Sequence, residues 1–148
     1  MIRRYGEAVK QGQRYRRRPG VYAVLLLGDS VLTTFQIDPT PEFQLPGGGI
    51  DRGEQPIAAL HREVLEETGW KIAVKRRLGA FRRFTYMPEY DMWAEKVCTV
   101  FLARPIICLG PPREAGHTAA WLSVAEAILH LGNPGDRAML AQASYGPR

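Results

Sequence analysis

Pro46-Gly47-Gly48-Gly49 is the strongest backbone punctuation in the chain, and it runs directly into a stretch opened by Pro56 and closed by Gly69. Proline suits the first helical position, where its missing N–H would have no partner anyway. Glycine adopts the left-handed conformation that ends helices. Together they predict a helix over 56–68, although Gln55 ahead of it is a poor cap. Within it, Ile57, Leu60 and Val64 recur at three- and four-residue spacing and form an apolar stripe.

The same helix gathers acids. Glu63, Glu66 and Glu67 stand at i, i+3 and i+4, so they share one face. Like charges at i and i+4 cost roughly 0.2–0.5 kcal/mol per pair. A solvated acidic face would explain three glutamates alone. With a glycine-rich loop feeding the helix, a cation among them is the better explanation, since such loops let backbone atoms approach a metal or phosphate closely. Magnesium takes hard oxygen ligands and keeps several waters, and a retained water is a ready nucleophile. Arg62 adjoins the cluster and can grip a carboxylate with both arms of its guanidinium.

The flanking sequence supplies strands. Val21–Leu27 and Val31–Gln36 form a hairpin about Gly28-Asp29-Ser30. Asp38-Pro39-Thr40-Pro41 is a loop, and Phe43–Leu45 a short extended piece. Residues 72–86 hold one or two strands, Met87–Trp93 is a polar and aromatic loop, and Lys96–Ala103 is a buried strand. After a loop at Gly110–Ala115 come a short strand at Ala119–Leu122 and a helix at Ser123–Leu131 capped by Ser123. Asp136–Ser144 is a further short helix or a frayed tail. Strands on both sides of a central helix imply an α/β fold, a mixed β-sheet packed between helices.

A chain of 148 residues is one domain with room for a core that needs no disulfide or structural metal. Cys98 and Cys108 form no metal-binding pattern and read as two reduced thiols of a cytoplasmic protein. Arg16-Arg17-Arg18 followed by Val21–Leu27 has the outline of an export signal, but the apolar run is short and no small-residue cleavage site follows. No stretch approaches the length of a membrane span. The net charge of +5 is uneven: residues 1–18 carry seven basic side chains against Glu7, leaving the remainder at −1. Residues 1–19 therefore read as a basic N-terminal arm and residues 20–148 as the domain. The arm is either a solvated tail or a phosphate- or nucleic-acid-binding segment. With little apolar material to bury, removal of residues 1–14 is expected to leave the melting temperature nearly unchanged.

Gly48, then five residues, Glu54, then seven, and Arg62-Glu63-Val64-Leu65-Glu66-Glu67-Thr68-Gly69-Trp70 reproduce G-x5-E-x7-R-E-U-x-E-E-x-G-U, with U a bulky apolar residue. The segment resembles the defining box of the Nudix hydrolase family at every fixed position, and the strand pattern extends the likeness over about 20–131. The resemblance implies an α/β/α sandwich with a loop–helix–loop catalytic motif and magnesium-dependent hydrolysis of a nucleoside diphosphate linked to another group, with manganese able to substitute. It implies that Glu63, Glu66 and Glu67 bind the metal with the Gly47 carbonyl. Arg62 would orient a ligand carboxylate, Glu54 brace the motif, Gly48 sit in the loop and Gly69 end the helix. The general base is Glu63 by first choice and Glu114 by second. His61, His117 and His130 show no arrangement.

The box reports the reaction and leaves the substrate open. Tyr86 lies sixteen residues past Trp70, a distance at which some relatives acting on dinucleoside polyphosphates carry tyrosine; Pro88, eighteen past, points to ADP-ribose. Arg82, Phe84 and Tyr86 alternate onto one strand face, where they can stack a base and meet a phosphate. The expectation leans to dinucleoside polyphosphates. The alternatives are ADP-ribose-type compounds, RNA 5′ ends held by the basic arm, and a nucleotide-binding regulator without catalysis. Oligomeric state stays open.

Overall fold

The computed structural model describes residues 2–145. In chain order the elements are β1 (Arg3–Arg4), β2 (Arg16–Leu27), β3 (Ser30–Gln36), β4 (Glu42–Gln44), β5 (Gly47–Gly49), α1 (Pro56–Thr68), β6 (Trp70–Met87), β7 (Met92–Cys108), β8 (His117–Ser123), α2 (Val124–His130) and α3 (Pro134–Tyr145). A single 3-10 turn, Pro88–Tyr90, joins β6 to β7. Among the described residues no helix is long and apolar enough to cross a membrane.

The strands form one mixed sheet in the order β1-β6-β7-β2-β3-β4. β2 and β3 pair only next to their turn, over Leu25–Leu27 and Ser30–Leu32. Beyond that point they part. β5 takes the β2 edge at Gly20–Tyr22, while β8 runs along the whole of β3. Strand alternation then sorts the core into two layers. Val21, Ala23 and Leu25 face Ala59, Leu60 and Val64 of α1. Val24, Phe81, Cys98 and Val100 face the α2–α3 side, with Ala127, Leu131, Met139 and Leu140. The expected α/β/α sandwich is present.

Helix α1 has the expected bounds, and Gly69 ends it at φ 79° with its N–H on the Leu65 carbonyl. Its buried set is Ala59, Leu60, Val64, Glu67 and Thr68, whereas Ile57 is 40% exposed. The helix is thus rolled so that part of its acidic side turns inward. Ser123 caps α2 in a reciprocal box with Glu126, each accepting the other's backbone N–H at 3.1 Å. Asp136–Ser144 lies wholly inside α3.

The N-terminal segment differs from the expected free arm. Arg16, Arg17 and Arg18 belong to β2 and pair in parallel with Ala94, Glu95 and Lys96 of β7, so the sheet starts four residues ahead of the boundary at 20. Arg3 and Arg4 add a strand to the outer edge of β6. Tyr5 donates its N–H to the Arg82 carbonyl at 2.9 Å, and its ring meets Phe81 edge-on at 5.7 Å. Tyr15 packs on Phe84 at 4.8 Å, and Lys10 sits 4.2 Å over the Trp93 ring. Three side chains spread over a polar segment lack the periodicity that a sequence reading detects, yet they anchor it. Deletion of residues 1–14 therefore lowers stability by about 1–3 kcal/mol, on the scale of uncovering one aromatic contact and an edge strand. Thermal melts of the two proteins measure it.

Asp136 is 4% exposed. It accepts one hydrogen bond, from the Leu45 N–H at 3.2 Å. Burial pushes its carboxyl up to about 6, against the pull of that N–H and of Arg83 and Lys96, with Glu42 adding to the rise. The native state then holds a proton that the unfolded chain has lost between roughly pH 4 and 6. Stability falls as pH rises through that window, by up to about 3 kcal/mol. In Asp136→Asn this slope disappears, which denaturant titrations at pH 4, 5, 6 and 7 would register.

Candidate active site

The site is assembled where the glycine loop passes the acidic side of α1. The clearest contact joins Gly47 to Glu67, whose Oε1 accepts the Gly47 N–H at 3.0 Å. Glu67 is 5% exposed. Desolvation drives its carboxyl well above the ordinary range, opposed by the Gly47 bond and reinforced by Glu114, Glu63 and Glu66. Three negative neighbours around a buried carboxylate make a place for a cation.

Close approach explains the glycines. A Cβ on Gly47 would fall 2.1 Å from the Val21 carbonyl oxygen, and one on Gly48 would fall 2.5 Å from Glu63 Oε2. A side chain at Gly47 would push the loop off β2, and one at Gly48 would displace the Glu63 carboxylate.

Arg62 organises the outer half of the cluster. Its Nε and Nη2 donate to the two oxygens of Glu54 at 2.8 and 2.9 Å. Its Nη1 reaches Glu63 Oε1 at 2.9 Å and Glu66 Oε2 at 3.4 Å, and Nη2 also reaches the Gly49 carbonyl at 3.2 Å. The two-armed grip is therefore on Glu54, and the acids of the cluster share a single nitrogen. Arg62 holds the Glu54 carboxyl down to about 2, helped by the Asp51 N–H. Glu63 is raised, with burial outweighing the Arg62 bond.

The loop before β8 completes the site. Arg113 and Glu114 donate their backbone N–H groups to the Glu66 carbonyl at 2.8 and 3.0 Å. Gly69 allows this docking, because a Cβ there would lie 1.9 Å from the Gly110 oxygen. One oxygen each of Glu63, Glu66 and Glu114 gather within 4.8 Å, and so do donor atoms of Glu67, Glu114 and His117. His117 Nδ1 lies 3.0 Å from Thr34 Oγ1 and 3.9 Å from Glu67 Oε2. Sequence reading passed over His117 and Thr34. Thr34 stands 14 residues before the box and His117 stands 47 residues after it, and only the β3–β8 register brings them together beside it. An oxygen-rich donor set on crowded, half-buried carboxylates fits a hard divalent cation.

The cluster opens into a cleft of about 480 Å3 lined by Glu63, Glu67, Glu114 and His117 and also by Arg18, Arg83 and Lys96. Arg82, Phe84 and Tyr86 are absent from that lining. They occupy the opposite face of β6: Arg82 pairs with Glu95 at 3.5 Å, Phe84 packs on Tyr15, and Tyr86 stacks on Trp93 and bonds Asp91 through its hydroxyl. The expected substrate face is therefore not a wall of this cleft. They do share a face, as alternation predicts, but it is the face that the N-terminal segment covers. The cleft takes the other parity, Arg83 and Met87.

Comparison with known proteins places these features in context. A family model described as NUDIX domain matches residues 16–143. An RNA pyrophosphohydrolase of Helicobacter pylori is 46% identical over 57 residues, which is 35% of this chain and 37% of that protein. A putative 8-oxo-dGTP diphosphatase of Bacillus subtilis is 30% identical over 74 residues, half of each chain. The chain thus matches between about a third and a half of the length of these curated relatives. Among solved structures, a NUDIX hydrolase from Nitrosomonas europaea superimposes with a TM-score of 0.74 over 90% of this chain and 92% of that one, at 23% identity. A MutT protein from Bacillus halodurans gives 0.69 over 88% and 84%, at 21% identity. At such identities these two show a shared fold.

Gly48→Ala is expected to leave the fold intact while displacing the Glu63 carboxylate. Turnover falls at least tenfold, a consequence of moving a reacting group by about an ångström, and rising magnesium concentration restores part of it. A magnesium titration of initial rates, with circular dichroism as the folding control, measures both effects.

Proposed function

Because the chain belongs to the NUDIX family, we propose that it is a magnesium-dependent pyrophosphohydrolase that cleaves the phosphoanhydride of a nucleoside 5′-polyphosphate, free or at the end of an RNA. The observation that carries this reading is the convergence of Glu63, Glu66, Glu67, Glu114 and His117 beside a cleft that Arg18, Arg83 and Lys96 also line. The names of the two relatives, one acting on RNA and one on a nucleoside triphosphate, support the substrate class. A dinucleoside polyphosphate is favoured less, since Arg82, Phe84 and Tyr86 lie off the cleft. The two free thiols, Cys98 and Cys108, suit a cytoplasmic setting.

Glu63, Glu66 and Glu67 would hold the cation, with the Gly47 carbonyl close by. A bound divalent ion neutralises the diphosphate and makes water more acidic. Arg62 fixes Glu63 and Glu66 relative to Glu54, so their oxygens are in place before substrate arrives. Water attacks phosphorus, one P–O anhydride bond breaks, and the departing phosphate carries away the bonding pair. Glu63 is the first acceptor for the proton of water. Glu114 is the second, delivered by the loop that Glu66 holds.

Glu67→Gln separates stability from function. Burial raises the carboxyl of Glu67 by penalising its charged form, and glutamine lacks that charge while keeping an oxygen for the Gly47 N–H. In EDTA at pH 8 the variant is expected to melt no lower than the wild type. Magnesium raises the wild-type melting temperature and moves the variant little, and turnover on a panel of nucleoside polyphosphates falls by about two to three orders of magnitude. Wild-type turnover by this variant would remove the metal assignment.

A further inference from the structure

At their outer ends β2, β7 and β6 lie abreast, and their two faces carry opposite solutions to the problem of charge. On one face Glu95 stands between Arg17 and Arg82, at 3.8 and 3.5 Å, so an anion separates two cations. One residue along, the register sets Arg18 beside Lys96 and Lys96 beside Arg83. Register partners share a face, so these three cations form a row. Adjacent strands lie about 4.8 Å apart, which makes the row roughly 10 Å long. Like charges directly opposite destabilise a sheet. Among the described residues no carboxylate forms an ion pair with any of the three. Asp136 feels the field of Arg83 and Lys96, but its Oδ2 is engaged by the Leu45 N–H, and Glu89 lines the same cleft without an ion pair to any of the three. All three are half-buried and line the same cleft as Glu63 and Glu67. Arg18 sits over the Tyr90 ring, its guanidinium carbon 4.8 Å from the ring centre, a cation–π contact that limits its freedom.

We propose that Arg18, Lys96 and Arg83 form a second anion site, which holds a phosphate that the substrate carries beyond the scissile diphosphate. In a nucleotide that group is a phosphate on the 3′ oxygen of the ribose, present either as a monoester or as the next phosphodiester of an RNA chain. An anion between the strands removes the repulsion of the row, and the half-buried setting strengthens each charge-assisted bond relative to bulk water. The inference deepens the hydrolase reading of the carboxylate end and rests on it for the orientation of the substrate.

Binding without metal tests the site apart from catalysis. In EDTA and low salt, nucleoside 3′,5′-bisphosphates of adenosine and guanosine are titrated calorimetrically beside the matching 5′-monophosphates. The extra phosphate is expected to tighten binding by about tenfold, the effect of one charge-assisted hydrogen bond. In the double variant Arg83→Gln and Lys96→Gln, checked for folding by its melting curve, the ratio falls to one. Equal affinities in the wild type, or an unchanged ratio in the variant, would overturn the proposal. Steady-state hydrolysis with magnesium then identifies the source of the phosphate. GTP is compared with pppGp and with the dinucleotide pppGpA: a gain in kcat/KM on both longer substrates assigns a monoester-tolerant site, and a gain on pppGpA alone assigns an RNA end. No hydrolysis of any of the three, with the bisphosphate preference intact, would refute the proposed substrate class and leave the anion site standing.

Discussion

The hydrogen bond from the Gly47 N–H to the buried carboxylate of Glu67 is the constraint around which the site is built. A carboxylate this deep is costly unless something meets its charge, and the backbone donor meets only one of its oxygens. The other faces His117, and Glu114 joins the two in one group of donors. The requirement for that bond fixes much else. The loop must pass between β2 and the helix, so Gly47, facing Val21, and Gly48, facing Glu63, have no room for a Cβ. The helix must roll its acidic side inward, which leaves Ile57 in solvent. The fold therefore holds a destabilised group in place with rigid neighbours, which is how a site stores readiness for a cation.

Around this contact, Arg62 acts as a distributor of charge. Its fork is committed to Glu54, and a single nitrogen serves both Glu63 and Glu66. Such an arrangement positions the cluster without cancelling it. A guanidinium spent wholly on Glu63 and Glu66 would compete with a metal for their oxygens. By contrast, Glu54 takes both arms of the fork, which hold it ionised, and so anchors the arginine.

The cleft itself follows from sheet topology. β2 parts from β3 after a few residues, and β5 fills the vacated edge. This split places the glycine loop, the β8 loop and the basic row of β2, β7 and β6 around one opening. It also explains why neighbouring residues on β6 have different fates. Arg82 and Phe84 lie under the N-terminal segment, and Arg83 faces the cleft. Side-chain alternation is a property of any strand, but which parity meets a ligand depends on what covers each face.

Sequence alone determined the helix, its bounds, the gathering of Glu63, Glu66 and Glu67, and the need for glycine beside them. These are short-range matters: a 3.6-residue period, a proline that cannot donate, a residue free to take positive φ. The layered α/β architecture was legible for the same reason, since each strand and helix announces itself by its own periodicity. Tertiary structure alone decided the rest. It buried Glu67 among its fellow acids, brought His117 and Thr34 from distant strands, tied Glu114 to the helix through backbone donors, and turned a presumed free arm into an edge strand with aromatic anchors. It also chose Arg83 over Arg82 as the cleft residue. Contacts of that kind depend on register between segments far apart in the chain, and no local pattern of residues encodes which faces will meet.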